Sequence, residues 1–324
     1  MYNYCILRGK KMKRLKRIFI DGSAGTTGLR IHQRLAARRD LTLVTLPEAV
    51  RKDPNARREA MEQCDAAFLC LPDAAAIEAA DMLAGSAVTL LDTSTAHRTS
   101  PDWAYGFPEL GAAYEAAVKE SKRIAVPGCH ASGFIALVAP LVAAGLLSPA
   151  AYLTCHSITG YSGGGKKMIA QYEADGRDAL LDAPRQYGLS QRHKHLPEMQ
   201  AVCGLAHAPI FCPVVSDFSS GMVVTVPLVS EELPAGATAE QLRQCYGDTY
   251  RGPVVRYLPK MDEDGFLSGA GLSGKDGMEL TVAGNDERIL LLARYDNLGK
   301  GASGAAIQCL NLSLGCEMTE GLVL

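Results

Sequence analysis

Cys129 has the sequence environment of a reactive cysteine. It directly follows Pro127 and Gly128 and precedes a long apolar segment that is predicted to be a helix. A thiol at the start of a helix lies near unpaired backbone N–H groups, which favour the thiolate and lower the thiol pKa. Of the ten cysteines it alone occupies such a polar turn, whereas others, such as Cys70, stand in apolar strings. Cys129 is therefore the candidate nucleophile.

A thiolate nucleophile needs a nearby acid or base, which is usually a histidine. The densest histidine cluster is in the segment His193–Glu198, but the residues alone leave five candidates open: His130, His156, His193, His195 and His207. Two histidines and one glutamate in that segment could also bind a metal. No further ligand cluster supports a metal site, so we expect none.

A glycine-rich turn, Gly22–Gly28, is the candidate cofactor site. It stands between an apolar run that ends at Ile20 and a helical pattern, and its spacing is G-x-x-G-x-x-G rather than G-x-G-x-x-G. Glycines let the backbone approach a pyrophosphate at the start of a helix. The alternative is a tight turn without a ligand. We expect the turn to bind a dinucleotide through Gly22, Ser23, Gly25, Thr26, Thr27 and Gly28.

Basic residues after the second predicted strand favour NADP over NAD. Glu48 occurs near the end of this strand, where an acidic residue would bind a ribose hydroxyl, but Arg51 and Lys52 follow it. These cations could bind a 2′-phosphate, or they could belong to a solvated loop. We assign Arg51 to the cofactor.

Two further segments could bind ligands. Asp92–Arg98 follows the fourth predicted strand, at the sheet edge where such folds bind ligands. Arg98 could pair with a carboxylate or a phosphate. The glycines of Ser162–Lys166 would allow close approach of a ligand, although they would also suit an ordinary flexible loop.

The first part of the chain is predicted to be a doubly wound α/β domain. Near-continuous apolar strands alternate with helices, as in a parallel sheet covered on both faces. The first predicted strand ends at Ile20, and the later ones are Leu41–Leu46, Ala66–Leu71, Ala87–Leu91 and Ile124–Val126.

From residue 151 the pattern changes to partial alternation, which indicates a mixed or antiparallel sheet in an α+β domain. Its predicted strands are Ala151–Ile158, Ile210–Val214, Gly221–Pro227, Glu279–Ala283 and Arg288–Tyr295. A final helix, Gly304–Leu314, could pack back on the first domain. We divide the chain into a basic tail (1–12), a Rossmann-type NADP-binding domain (13–127 with 303–324) and a catalytic and dimerisation domain (128–302).

The composition excludes several classes of protein. The chain has 324 residues, of which 48% are hydrophobic and 21% charged, and its net charge is −2. This balance gives no support for binding to nucleic acid or to a membrane surface. The longest apolar run, Phe134–Leu147, is too short to span a bilayer. The cysteine pattern contains no C-x-x-C pair, and we expect a cytoplasmic protein with free thiols.

Taken together, the motifs resemble those of the N-acetyl-γ-glutamyl-phosphate reductases in their shorter form. The resemblance extends from about residue 17 to 314, and the family's motifs occur in the family's order as Gly22–Gly28, Asp92–Arg98, Tyr105–Leu110, Pro127–Cys129, Ser162–Gly165, His193–Glu198 and Asp296–Gly304. Two departures occur. His130-Ala131-Ser132 replaces the family's usual aromatic-Pro-Thr, and S-G-G-G-K replaces S-G-A-G-R.

The resemblance implies reduction of an acyl phosphate by NADPH in arginine biosynthesis, with Cys129 as the nucleophile and His195 as the acid and base. It also implies a homodimer or homotetramer and a final helix on the nucleotide domain. We assign Arg98, Ser132 and Glu198 to the substrate. Besides the glycine turn and Arg51, we assign to the cofactor Ser94, Gly163, Gly164 and Asn297.

Two alternatives remain open at this stage. One is a related acyl-phosphate reductase that acts on aspartyl phosphate or on a carrier-bound amino acid. The other is a dinucleotide-binding regulator without catalytic activity, although the presence of Cys129, His195 and Arg98 together argues against it.

Overall fold

The structure is a computed structural model of the chain and describes residues 14–234 and 237–324. The predicted basic tail, residues 1–12, lies outside these residues. In the described part of the chain, two sheets organise the fold. No helix in these two ranges is long and apolar enough to cross a membrane.

The first sheet has six strands within the described residues, and all of its strand pairs are parallel. Its order is β2-β1-β3-β4-β6-β5, which confirms the predicted doubly wound arrangement. The strands are β1 Lys16–Asp21, β2 Leu41–Val44, β3 Ala66–Leu69, β4 Thr89–Asp92, β5 Ala104–Tyr105 and β6 Arg123–Ala125. The helices of this part are α1 Thr26–Ala36, α2 Pro54–Glu62, α3 Asp73–Met82 and α4 Ala112–Glu120.

The order of the strands decides where a ligand can bind. The chain goes from β1 to β2 on one side and then returns to β3 on the other side of β1. Ligands of open α/β sheets bind at the carboxyl ends of the strands where the order reverses. The turn 22–28 follows β1 directly, so it lies at this point.

The second sheet is mixed, as predicted. Its order is β11-β12-β13-β10-β7-β9-β8, and only β7 with β9 and β11 with β12 are parallel among its described pairs. The strands are β7 Thr154–Gly160, β8 Arg185–Gln186, β9 Ile210–Ser216, β10 Met222–Val229, β11 Val255–Tyr257, β12 Met278–Gly284 and β13 Arg288–Tyr295. The helices are α5 Cys129–Ala143, α6 Gly165–Tyr172, α7 Leu196–Cys203 and α8 Ala239–Thr249, followed by α9 Gly304–Ser313.

Helices α5, α7 and α8 cover one face of the second sheet, and their side chains share the largest apolar core with alternate residues of its strands. The outward-pointing residues of the same strands are more exposed. Ile210, Val229 and Leu290 are 60%, 40% and 40% exposed, respectively. The sheet therefore keeps a partly open apolar face.

Helix α9 belongs to the core of the first sheet. Its Ile307 and Leu310 are fully buried in a cluster with Ile18 of β1 and Leu91 of β4. A one-turn π-helix, Gly299–Ser303, connects β13 and the following loop to α9. The C-terminal part of the chain thus packs on the first sheet, as the resemblance implies.

Candidate functional site

The glycine turn has the geometry of an anion site. Gly22 has a φ of 80°, and a Cβ there would overlap the carbonyl of Cys70. A Cβ on Gly28 would overlap the Gly22 carbonyl, so the turn can close only with glycine at both positions. Helix α1 begins after Gly25, which makes no side-chain cap. The first amides of this helix are therefore available to a phosphate.

A cleft beside this turn is lined by Gly22, Ser23 and the basic residues His32, Arg51 and Lys52. Arg51 also pairs with Glu48 at 2.7 Å, and both side chains are substantially exposed. The cleft combines free backbone amides with cationic side chains. Its residues therefore fit the phosphates of a dinucleotide.

A second cavity, of about 290 Å³, lies where the two sheets meet. Thr27 of the glycine turn lines it, so the second cavity lies close to that turn. The other predicted site residues that line it are Arg98, Cys129, Gly163, Gly164, His195 and Asn297. The topology thus brings together residues that are almost 200 positions apart.

Cys129 is the first residue of α5, and Tyr295 at the end of β13 holds its backbone. The Tyr295 hydroxyl donates to the Cys129 carbonyl at 2.6 Å and accepts from the Gly133 N–H at 3.0 Å. In a regular α-helix these two backbone groups pair with each other. A Cβ on Gly133 would overlap the Tyr295 ring and hydroxyl, so glycine makes room for this insertion.

The Cys129 thiol is less acidic than its place at a helix start predicts. Burial raises its pKa above the ordinary value, although the nearby Arg98 charge and a backbone hydrogen bond oppose the shift. Desolvation disfavours the charged form and here outweighs the helix end. This direction is opposite to the thiolate expected at a helix start, and a base beside the sulfur would have to take its proton.

Arg98 is buried and keeps part of its hydrogen-bonding capacity for a ligand. Its guanidinium donates to the carbonyls of Val126 and Thr93 at 2.9 and 3.0 Å, and to Glu198 at 3.0 Å. A guanidinium has about five donors, so roughly two remain. Because Arg98 also lines the cavity beside Cys129, an anionic substrate group can bind there.

Glu198 lies behind the cavity. The side chain is buried, and its two oxygens accept from Arg98, from the Tyr105 hydroxyl at 2.7 Å and from the Gly128 N–H at 2.8 Å. With its oxygens engaged by the protein, this carboxylate orients Arg98 and the backbone before Cys129. Glu198 does not line the cavity, so the predicted direct contact with substrate would require these hydrogen bonds to open.

His195 is held in the neutral form. Burial lowers its pKa well below the usual value, and the Arg98 charge adds to the shift. Its Nδ1 is buried without a hydrogen-bond partner in the described residues, and a Cβ on Gly128 would overlap its Nε2. A neutral imidazole beside Gly128–Cys129 can accept the proton of the half-buried thiol.

His193 lines the same cavity, and its Nδ1 accepts from the His195 backbone N–H at 3.2 Å. Its pKa is also lowered, chiefly by burial. In residues 14–234 and 237–324, no group of three or more His, Cys, Asp or Glu residues is arranged to hold a metal ion.

Two predicted site residues, Ser132 and Ser94, form hydrogen bonds with residues close to them in the sequence. The Ser132 hydroxyl donates to the Gly128 carbonyl at 3.0 Å, and the Ser94 hydroxyl donates to Asp92 at 2.7 Å. Neither residue lines the two cavities described above. By contrast, Asn297 lines the second cavity and donates to the Ser162 hydroxyl at 3.1 Å, so it fixes the glycine loop 162–165.

The cavity also contains Tyr187 and Lys194, which were not assigned from the sequence, and His130, which the sequence left among five candidate bases. His130 and Tyr187 line it, and Tyr187 lies 2.6 Å from the His130 Nε2, whose Nδ1 contacts Ser157 at 2.7 Å. Burial lowers the pKa of His130 to about 3, so this ring is neutral. Exposed Lys194 adds a cation to the cavity. Lys194 could have been found from its place between His193 and His195, but Tyr187 has no local sequence signal.

Comparison with known proteins agrees with this architecture. The family model described as semialdehyde dehydrogenase, NAD binding domain, matches residues 42–117. The model described as semialdehyde dehydrogenase, dimerisation domain, matches residues 129–297. Among solved structures, aspartate semialdehyde dehydrogenase II from Vibrio cholerae, complexed with ASA, has a TM-score of 0.70 at 18% identity and covers 94% of this chain and 99% of that one. The enzyme from Candida albicans with NADP has a TM-score of 0.64 at 14% identity, covering 92% and 98%.

Curated relatives are much closer in sequence. An N-acetyl-gamma-glutamyl-phosphate reductase from Burkholderia ambifaria is 47% identical over 305 residues, which is 92% of this chain and 96% of the relative. A reductase of the same name from Sinorhizobium medicae is 45% identical over 305 residues, covering 92% and 98%. On the evidence of this near-complete alignment and of a site with the family's motifs assembled around one cavity, the chain belongs to the N-acetyl-γ-glutamyl-phosphate reductases.

Proposed function

We propose that the chain reduces N-acetyl-γ-glutamyl phosphate to N-acetylglutamate 5-semialdehyde with NADPH, in arginine biosynthesis. The observation that carries this proposal is that Cys129, His195 and Arg98 share one cavity with Thr27 of the glycine turn. The relatives that match at 45–47% identity are named for this reaction. The aspartate enzymes resemble the chain only at the level of the fold.

Cys129 performs the first half of the reaction. The sulfur attacks the acyl carbon, and its proton passes to neutral His195. The bond between the acyl carbon and the phosphate oxygen breaks, phosphate leaves and a thioester forms on Cys129. The free donors of Arg98 hold an anionic group of the substrate. Covalent catalysis in this form divides one difficult step into two easier ones.

The second half returns the thiol. A dinucleotide held by the glycine turn would supply a hydride, which the thioester carbon would accept. His195 gives its proton to the oxygen that becomes negative, which produces a thiohemiacetal on Cys129. The carbon–sulfur bond then breaks, the hydroxyl proton returns to sulfur through His195, and the aldehyde is released. The predicted cofactor residues Gly163, Gly164 and Asn297 line the cavity that contains the sulfur.

NADP is the proposed cofactor because Arg51 and Lys52 stand with His32 at the ribose end of the nucleotide cleft. A ribose 2′-phosphate brings additional negative charge, which these groups can neutralise. Gly22, Ser23, Gly25, Thr26, Thr27 and Gly28 would hold the pyrophosphate. Ser94 could contribute only if its bond to Asp92 opened.

The proposed assembly is a homodimer through the outward face of the second sheet. Ile210, Val229 and Leu290 present apolar area there, and this part of the chain matches a dimerisation domain. We also propose the domain limits 13–127 with 303–324, and 128–302. A reducing compartment, the cytoplasm, suits the nine described cysteines, all of which are free thiols.

The direct test is the reverse reaction, followed as NADPH formation at 340 nm. We expect N-acetylglutamate 5-semialdehyde, NADP and inorganic phosphate to give NADPH only when all three are present. Aspartate semialdehyde should react far more slowly. A preference for aspartate semialdehyde would replace the substrate assignment, and absence of turnover with both aldehydes would favour a dinucleotide-binding regulator.

A further inference from the structure

Two charged residues that the mechanism does not use meet inside the protein. Glu109 belongs to the segment Tyr105–Leu110, and Lys300 belongs to the segment Asp296–Gly304. The Lys300 Nζ lies 2.7 Å from the Glu109 carboxylate, and the two side chains are only 2% and 9% exposed. The chain thus contains a buried ion pair between residues that are 191 positions apart.

A third residue completes the network. Gln308 of α9 accepts from Lys300 at 2.6 Å and donates to Glu109 at 2.6 Å, and the Phe107 ring lies 4.5 Å from the ammonium group. Each charge is therefore compensated. Since desolvation largely cancels the attraction in buried ion pairs, stability alone is a weak explanation for this pair.

The network holds the π-helical turn Gly299–Ser303, of which Lys300 is the second residue. π-Helical turns are rare and occur often at functional sites. The next residue, Gly301, lies directly against the nucleophile, because a Cβ built on it would stand 3.1 Å from the Cys129 Cβ. Gly301 and Ala302 line the second cavity, which contains Cys129. The π-helical turn is therefore the wall behind the sulfur.

The other end of this segment is fixed to the second sheet. Asp296 follows β13 and is fully buried, and its carboxylate accepts from the Leu298 N–H at 2.7 Å and from the Ser220 hydroxyl at 2.9 Å. Glu109, in contrast, lies in the short helical turn Pro108–Leu110 just after β5 of the first sheet. The wall behind Cys129 is thus anchored to both sheets.

We propose that Glu109 and Lys300 are positioning residues that fix the π-helical wall, and with it Cys129, relative to the nucleotide-binding sheet. The inference deepens the proposed function, because hydride transfer requires the acyl carbon on sulfur to meet the dinucleotide held by that sheet. Misplacement of reacting groups by about 1 Å can cost roughly a hundredfold in rate.

The test compares Glu109→Gln, Lys300→Met and the double variant. Each single variant leaves a buried charge unpaired and should lower the melting temperature. The double variant removes both charges and should regain most of the lost melting temperature. We expect the double variant to keep a kcat at least about tenfold below wild type, with the substrate KM within about threefold. Gln308→Met, which leaves the ion pair in place, should lower kcat by a smaller factor. The exposed pair Glu115 and Lys119, replaced by Gln and Met, is the matched control.

A second readout does not depend on turnover. The rate at which iodoacetamide alkylates Cys129, determined by peptide mass spectrometry against Cys212, should change in the double variant and stay constant in the control. Wild-type kcat and wild-type alkylation in both the double variant and Gln308→Met would overturn the proposal. If wild type itself lacked phosphate-dependent turnover, the proposed function would fail, while the alkylation rates would still decide the positioning role.

Discussion

The protonation of Cys129 depends on two opposing effects. A helix start and the Arg98 charge favour the thiolate, while burial favours the thiol, and burial has the larger effect on the pKa. His195 is neutral for the same reason, since desolvation disfavours the imidazolium. A neutral thiol beside a neutral base is a pair that can exchange a proton when substrate arrives.

Cys129→Ser should abolish turnover, because a serine hydroxyl is a far weaker nucleophile in this position. NADPH binding, measured by the quenching of protein fluorescence, should remain nearly unchanged, since Cys129 is not a residue of the nucleotide cleft. Retention of more than about a tenth of the activity, a cost near 1.4 kcal/mol, would contradict the thioester mechanism.

The two neighbouring histidines should differ in importance. His195→Asn should lower kcat by about 10²–10⁴, the usual contribution of a positioned acid or base, while the circular dichroism spectrum stays native. His193→Asn should have a smaller effect, because the His193 ring supports the His195 backbone. An equal loss in both variants would exclude His195 as the specific proton carrier.

The raised pKa of Cys129 predicts a particular pH dependence. In the free enzyme the thiolate fraction, and therefore the rate of alkylation of Cys129, should rise about tenfold per pH unit from roughly pH 7 to pH 8.5 without reaching a plateau. Mass spectrometry of the labelled peptide measures this rate. A plateau below neutral pH would indicate a thiolate at rest and would contradict the effect of burial.

The sequence predicted which residues lie at the site more accurately than it predicted the partners of their side chains. Cys129, Arg98 and Asn297 were found from residue type and motif, and they line the cavity. Ser132 and Glu198 belong to motifs too, but their side chains bond to the Gly128 backbone. The direction of a side chain depends on tertiary packing, which a motif does not contain.

At the scale of elements, β13 and α5 together form the nucleophile's support. The Tyr295 hydroxyl takes the place of a helical hydrogen bond in the first turn of α5. Such an insertion opens the turn locally. The predicted bounds of strand β13, Arg288–Tyr295, are those observed. By contrast, the contact between Tyr295 and Gly133, which is 162 positions away in α5, has no local sequence signal.

Tyr295→Phe should therefore affect both stability and turnover. Loss of two buried hydrogen bonds should lower the free energy of unfolding by about 1–3 kcal/mol in urea titrations. With Cys129 free to shift, kcat should fall while the substrate KM changes little. Tyr152→Phe is the control, since Tyr152 is 77% exposed. Equal kcat values for the two variants would remove Tyr295 from the catalytic support.

The elements predicted from the sequence are those with a strong local pattern. Apolar strands such as β1 and β3 were found because both of their faces are buried. The two-residue strands β5 and β8 lie at sheet edges and were not predicted. A segment this short becomes a strand only through its neighbour in the sheet, and local periodicity cannot reveal it.

At the scale of the whole molecule, the outward face of the second sheet should join two copies. Leu290→Asp places a charge on this face, and it should shift sedimentation from the dimer to the monomer. Leu180→Asp, at a side chain that is 70% exposed outside this sheet, is the control. Dimers that persist in the Leu290 variant would exclude this face as the interface.

The place of α9 has a consequence for synthesis. The ribosome makes α9 after every strand of both sheets, yet Ile307 and Leu310 complete the core around Ile18 and Leu91. During synthesis, part of the apolar surface of the first sheet therefore stays exposed until α9 has been made. Since domains usually fold in order of their appearance, this protein should depend more than most on chaperones until α9 leaves the ribosome.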